Sequence, residues 1–178
     1  MRWTAAWLIV LLAALGGCRH VPGQEVPDVR TPPVVVNEML RLAAVTSADV
    51  VYDLGSGDGR IVIAAAHDRG ARGVGFEIDP ALVAQANATA RRLGLTDRVT
   101  FRQDDLFKAD LTGATVVTLY LSPELNRRLR PKLLTELRPG SRIVSHAFDM
   151  GDWAPDRTIQ VTSNQGIHTL YLWVVPGR

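Results

Sequence analysis

The chain has 178 residues, of which 47% are hydrophobic and 21% charged, with a formal net charge of +2. That balance suits one globular domain with a sizeable core and excludes a disordered chain. A sole cysteine excludes an internal disulfide, and scattered arginines without interleaved aromatics argue against nucleic-acid binding.

The first segment is Arg2 followed by AAWLIVLLAAL, an apolar run of signal-peptide length that is short for a membrane span. It ends in Leu15-Gly16-Gly17-Cys18. Small residues before a sole cysteine resemble the bacterial lipoprotein signal. The resemblance implies cleavage before Cys18, a lipid on Cys18, and a membrane-attached protein of the cell envelope. A misassigned start would leave a cytoplasmic protein instead. RHVPGQEVPDVR is polar and holds two prolines, so it reads as a linker. The expected division is a signal over 1–17, a linker over 18–30 and one domain over 31–178.

Within that domain Thr31 is placed to cap a helix with Pro32 at its first position, and Val35, Met39 and Leu42 give the helix one apolar face. VVYDLG (50–55) reads as a strand running into glycines, and 61–69 as a helix. GVGFEID (73–79) is a second strand, and Pro80 opens a helix that ends at Gly94. VTFRQDDL (99–106) and ATVVTLYL (114–121) are the third and fourth strands, the latter apolar enough to be central. Ser122-Pro123 starts a long helix through Leu137, with a kink expected at Pro131. RIVSHAF is a fifth strand. TIQVTS and HTLYLWVV leave no room for a helix between them and should pair antiparallel. Alternating strands and helices predict an α/β fold of Rossmann-like type: a seven-stranded, mostly parallel sheet covered on both faces, with a C-terminal antiparallel hairpin.

DLGSGDGR carries the chemistry. Asp53 ends a strand, Ser56 lies within the turn, and glycines follow at Gly55, Gly57 and Gly59, letting backbone approach a ligand beside a helix N-terminus. A dinucleotide fingerprint would need glycine where Arg60 stands, and the Lys-Ser/Thr end of a nucleotide P-loop is missing. Glu77 ends the second strand, where a carboxylate can accept from ribose hydroxyls, with Ile78 beside it. Asp104 and Asp105 end the third strand, followed by Leu106, and either carboxylate could accept from an adenine amino group. Three acidic strand ends in consecutive βα units point to one rim of the sheet.

Together DLGSGDGR, GFEIDP and FRQDDLF resemble the motifs of class I, seven-strand S-adenosylmethionine-dependent methyltransferases, over about residues 31–176. The resemblance implies S-adenosylmethionine as cofactor, with Asp53, Gly55 and Gly57 at its methionine end, Glu77 at the ribose, and Asp105 or Asp104 at the adenine. TPPVVVNEML, TVVTLYLSPELNRRLRPKLL and SHAFDMGDW are similar to small bacterial and archaeal relatives of the mitochondrial protein-lysine methyltransferases. That narrower resemblance implies an N-methylated protein lysine as acceptor, and a small amine would also fit the limited surface of so short a domain. Asp28-Val29-Arg30 departs from the aromatic and proline pattern expected there, at the acceptor-side lid.

An amine acceptor must arrive neutral, which an apolar, aromatic pocket favours. Tyr120 is the candidate lining, with Leu121, Ser122 and Pro123 shaping the loop. Residues 120–123 read YLSP in place of the Asn/Asp-Pro-Pro-aromatic motif that adenine or glutamine amino-methylation would suggest. His20, His67, His146 and His168 show no metal-ligand spacing, so no metal is expected. His67 and His168 read as structural, whereas His146 and Asp149 follow the fifth strand near the rim and are candidates to touch substrate. The alternative to an enzyme is a tethered S-adenosylmethionine-binding module without turnover.

Overall fold

The computed structural model of the protein describes residues 30–177. The expected signal, Cys18 with its expected lipid, His20 and all of the expected linker but Arg30 lie outside the described residues. Eleven elements follow in chain order: α1 (Pro33–Leu42), β1 (Val50–Leu54), α2 (Arg60–Arg69), β2 (Arg72–Glu77), α3 (Pro80–Arg92), β3 (Val99–Gln103), β4 (Val116–Leu119), α4 (Pro123–Glu136), β5 (Arg142–His146), β6 (Arg157–Ser163) and β7 (Gly166–Val174).

The seven strands form one sheet in the order β3-β2-β1-β4-β5-β7-β6. The first five run parallel, and β7 joins β5 and β6 antiparallel. The order reverses between β1 and β4, which leaves a crevice beyond their carboxyl ends, the place where open α/β sheets bind ligands. β4 is buried at every position, as its apolar and β-branched sequence requires of a central strand.

Apolar side chains cover both faces. On one, Val35, Val36, Met39 and Leu40 of α1 pack with Ile61 and Ala65 of α2 over Val51, Val116 and Val144. On the other, Leu129, Leu133 and Leu137 pack over Leu54, Val117, Leu119 and Ile143, with Trp173 fully buried among them. Burying each such side chain stabilises the fold by about 1.5–3 kcal/mol. Among the described residues no helix is long and apolar enough to cross a membrane.

Several boundaries differ from expectation for local chemical reasons. Pro32, not Thr31, is the N-cap of α1, and no side chain caps that helix, because the Thr31 hydroxyl is engaged elsewhere. β3 stops at Gln103, since Asp104 Oδ1 accepts from the Asp105 backbone N–H and turns the chain. β4 stops at Leu119, which leaves Tyr120 and Leu121 in the loop beyond it. α4 runs as one element through Pro131 and ends at Glu136.

Candidate functional site

At the end of β1 the chain makes its glycine turn. Gly57 has φ +54 and its backbone N–H donates to Glu77 Oε2 at 2.8 Å. A Cβ built there would meet nothing within 4 Å, so this backbone faces open space. Gly59 (φ +81) needs its missing side chain for packing, because a Cβ would lie 2.5 Å from the Phe101 ring. α2 starts next, with Gly59 as its N-cap and no acidic residue in its first turn, and the Asp58 carboxylate accepts from the Arg60 N–H at 3.3 Å. The N–H groups of Gly55, Ser56, Gly57 and Gly59 are all paired within the protein, so what the turn offers a ligand is the open space over Gly57 and the nearby N-terminus of α2.

Two cavities lie along this rim. One, of about 180 Å3, is lined by Thr31, Asp53, the 55–57 turn, Arg60 and Tyr120. The other, of about 550 Å3, is lined by Glu77, Ile78, Asp104, Asp105, Leu106 and Leu121, among others. Gly55 borders both. The residues read from sequence as the cofactor set thus line one or other of these adjoining cavities, except Gly59, which packs against Phe101 behind the turn.

Glu77 is held by three backbone donors, with Ile78 N–H at 2.8 Å and Asp79 N–H at 3.0 Å on Oε1 and Gly57 N–H on Oε2. Its carboxylate is therefore oriented in advance. Asp104 and Asp105 both line the larger cavity, and each also closes a local turn, Asp105 Oδ1 accepting from Phe107 N–H at 2.9 Å. Ile78 is 67% exposed beside them, an apolar surface open to a flat ring.

Asp53 is buried and accepts from the Thr118 hydroxyl at 2.7 Å. Burial pushes its carboxyl up to about 7, with the neighbouring Glu77 and Asp58 charges adding to the rise. Thr118, hidden in the middle of β4, gave no signal in the sequence. Arg60 forks to Asp58 and donates to the Thr31 carbonyl at 2.9 Å, while Arg30 also reaches Asp58. The residue that breaks a dinucleotide fingerprint here pins the N-terminal segment across the glycine turn.

The acceptor side is aromatic. The Tyr120 ring lies 4.0 Å from that of His146 and stacks at 6.5 Å with Phe148. Ala147 (φ +67) closes a three-residue turn in which Phe148 N–H donates to the His146 carbonyl at 2.9 Å, and this brings Phe148 back over Tyr120. Strained backbone of this kind costs about 1–3 kcal/mol and gathers at functional sites. Asn126 holds the same loop from α4, its Nδ2 donating to the Phe148 and Asp149 carbonyls at 3.0 and 3.2 Å. Ser122 caps α4 by accepting from Leu125 N–H, and Pro123 is that helix's first residue. Neither lines the crevice, whereas Tyr120 and Leu121 line one cavity each. Asp149 is exposed beside the loop. His168, read as structural, bonds His146.

Residues 53–157 match the family described as the ANTKMT methyltransferase domain. The chain belongs to this methyltransferase family. It is 44% identical to a protein-lysine N-methyltransferase of Saccharolobus islandicus, over 88% of this chain and 96% of that one. It is 38% identical to the mouse adenine nucleotide translocase lysine N-methyltransferase, over 85% of this chain and 66% of that one. Among solved structures, an RNA methyltransferase from Salinibacter ruber in complex with S-adenosyl-L-homocysteine superposes with a TM-score of 0.80. It is 57% identical and covers 84% of this chain and 95% of its own. The enzyme described here is a class I, S-adenosylmethionine-dependent methyltransferase. Its crevice fits that cofactor: open space beside the Gly57 backbone, an oriented Glu77 carboxylate, and exposed Ile78 facing a roomy cavity.

Proposed function

We propose that this methyltransferase N-methylates a lysine side chain of a protein. In this reading Glu77 accepts from the ribose hydroxyls. Asp104 or Asp105 accepts from the adenine amino group between Ile78 and Leu106. Asp53, Gly55, Ser56 and Gly57 hold the methionine end, and Gly59 lets α2 pack close behind them. When bound, the cofactor supplies an activated methyl group, so the chain's own task is positioning, desolvation and removal of a proton.

The observation that carries the lysine reading is the aromatic acceptor rim, where the Tyr120 ring lies 4.0 Å from that of His146 and 6.5 Å from that of Phe148, and the direction in which buried groups around the crevice titrate agrees with it. Burial raises Asp53 to about 7, and burial with the adjacent His168 lowers His146 to about 4. Burial also raises the Tyr120 phenol. Three groups of different chemistry all move toward their uncharged forms, and a site that does this also favours an uncharged amine over an ammonium. A free lysine near pKa ~10.4 needs that help at neutral pH. Tyr120 and Phe148 supply the aromatic walls of a slot for its hydrocarbon stem.

RNA is the second reading, favoured by the Salinibacter structure's description. The charges on the surface count against it. Arg30 and Arg60 are engaged with Asp58, Arg128 lies over the Phe107 ring, Arg130 pairs with Asp152 and Lys132 with Glu136. A phosphate backbone would have to displace these partners.

We also infer that Cys18 carries a lipid that holds the enzyme at the membrane of the cell envelope, close to its acceptor. The test is incubation with methyl-labelled S-adenosylmethionine and membrane, soluble and RNA fractions of the source cell. Label in methyl-lysine after acid hydrolysis of protease-sensitive material is the expected result. Label removed by ribonuclease would overturn the lysine reading. Loss of fatty-acid labelling in Cys18→Ala checks the lipid.

A further inference from the structure

Four polar side chains follow one another from the crevice to the surface of the β6–β7 hairpin. Thr31 Oγ1 lies 3.1 Å from His146 Nδ1, His146 Nε2 lies 2.9 Å from His168 Nδ1, and His168 Nε2 lies 2.7 Å from Ser163 Oγ. Thr31 lines the cavity that holds Asp53 and Tyr120. Ser163 sits at the end of β6, where its oxygen also accepts from the Gln165 N–H and the neighbouring residues are exposed. The two middle groups lie beside the apolar Val144 and Leu170 of β5 and β7, where an apolar pair would pack without any desolvation cost.

We propose that Thr31, His146, His168 and Ser163 form a path by which the proton of the acceptor amine leaves the closed site. The proposal rests on the lysine reading above. A bound ammonium must lose one proton before its nitrogen lone pair can form the new C–N bond as the sulfonium C–S bond breaks. In the starting arrangement Thr31 donates to His146 Nδ1, His146 Nε2–H donates to His168 Nδ1, and His168 Nε2–H donates to Ser163. The ammonium gives its proton to Thr31, which gives its own to His146 Nδ1. His146 passes its Nε2 proton to His168 Nδ1, and His168 passes its Nε2 proton to Ser163. Ser163 releases its hydroxyl proton to water. The amine has lost one proton, water has gained one, and every link now points the other way; rotation of the groups between turnovers resets the path.

The surroundings suit this role. A relaying imidazole must keep one donor and one acceptor, which only the neutral ring has. Burial and the neighbouring His168 hold His146 near 4, so its ring stays neutral through the physiological range. The titratable groups packed on His146 are His168 from β7 and the Tyr120 phenol after β4. Arg60 meets the path only at the Thr31 carbonyl, and Asp58 is joined to it through Arg60.

The experiment compares the full-length wild type with Thr31→Val, Thr31→Ser and His168→Gln. It reads the initial rate of methyl-lysine formation on the source cell's membrane fraction at saturating S-adenosylmethionine, from about pH 7 to about pH 9.5. Thr31→Val keeps the shape without the hydroxyl, and glutamine keeps hydrogen bonds without the ability to relay. We expect both to be slowed about 100-fold near pH 7. The loss should shrink steadily as the pH nears the amine's own value of ~10.4, because the acceptor then arrives already neutral. Thr31→Ser should follow the wild type. A loss that is the same at every pH, or no loss, overturns the path while leaving the lysine reading intact. A wild type that forms no methyl-lysine overturns both.

Discussion

Asp53→Asn tests the electrostatics of the crevice most directly. The folded chain holds the Asp53 carboxyl at about 7 against an ordinary 3.8, chiefly through burial. A group raised in this way binds a proton in the folded state that the unfolded chain releases. Its stabilising contribution is therefore complete below about pH 3.8 and is lost as pH rises to about 7. The full difference corresponds to about 4 kcal/mol, of which about 2 kcal/mol falls between about pH 5.5 and about pH 8.5. For a chain of this size that is about 4–8 °C in Tm. Asparagine keeps the shape and can still accept from the Thr118 hydroxyl, but it does not titrate. The gap between variant and wild-type Tm, read by thermal unfolding without cofactor, should widen by about 4–8 °C in favour of the variant as pH rises over that interval. Saturating S-adenosylmethionine should narrow it, because a cationic ligand beside Asp53 favours the carboxylate. A gap that stays constant with pH would refute the reasoning, since no other group differs between the two proteins.

Glu77→Ala removes a carboxylate that three backbone N–H groups hold in place. Hydrogen bonds to charged groups are worth about 1.5–3 kcal/mol, so calorimetric titration should show S-adenosylmethionine binding weakened at least about tenfold, and a change under about threefold would refute the ribose role. Asn126→Ala strips the amide from the Phe148 and Asp149 carbonyls. It should cost about 1–3 kcal/mol in urea unfolding and speed hydrogen exchange over 147–152, while cofactor affinity stays unchanged.

The parts of this enzyme that were legible in its sequence are those set by local pattern. The Gly55, Gly57 and Gly59 spacing, the acidic strand ends and the helix start at Pro80 each require particular residue types within a few positions. The C-terminal hairpin was legible because the four residues 164–167 hold no helix. What escaped depends on contacts between distant residues. Thr31 carries every local mark of a helix cap, yet its hydroxyl meets His146, which lies 115 positions away. Thr118 is one β-branched residue among several in a central strand, and only register with β1 sets it beside Asp53. Asn126 sits in an arginine-rich helix and looks solvated, but it is fully buried against the β5 loop. The strand ends were overextended for the opposite reason: Tyr120 and Leu121 continue the apolar, β-favouring pattern of β4 into what is a loop, and β3 was carried on to Leu106 past Asp104, whose short-range carboxylate bond turns the chain first.

The route by which the linker enters the domain bears on what the enzyme can reach. Arg30 and Thr31 line the crevice, and Arg60 fixes the Thr31 carbonyl, so the chain arrives at the lip of the active site and not on the opposite edge of the sheet. Thirteen peptide steps separate Cys18 from Thr31. At full extension they span at most about 45 Å. A lipid on Cys18 would therefore keep the acceptor rim, with Tyr120 and Phe148, within that distance of the bilayer. Tethering converts a bimolecular encounter on the membrane into one at an effective concentration of about a millimolar. At submicromolar enzyme, the lipidated chain should methylate a lysine peptide displayed on vesicles at least about 100-fold faster than Cys18→Ala, whereas the same peptide free in solution should be methylated equally by both. Lengthening the linker by about thirty residues should reduce the vesicle rate about sixfold, following the −3/2 power of length. Equal rates on vesicles for the lipidated chain and Cys18→Ala would mean that the membrane is not where the acceptor is met, and would remove the reason for a tether at the mouth of the site.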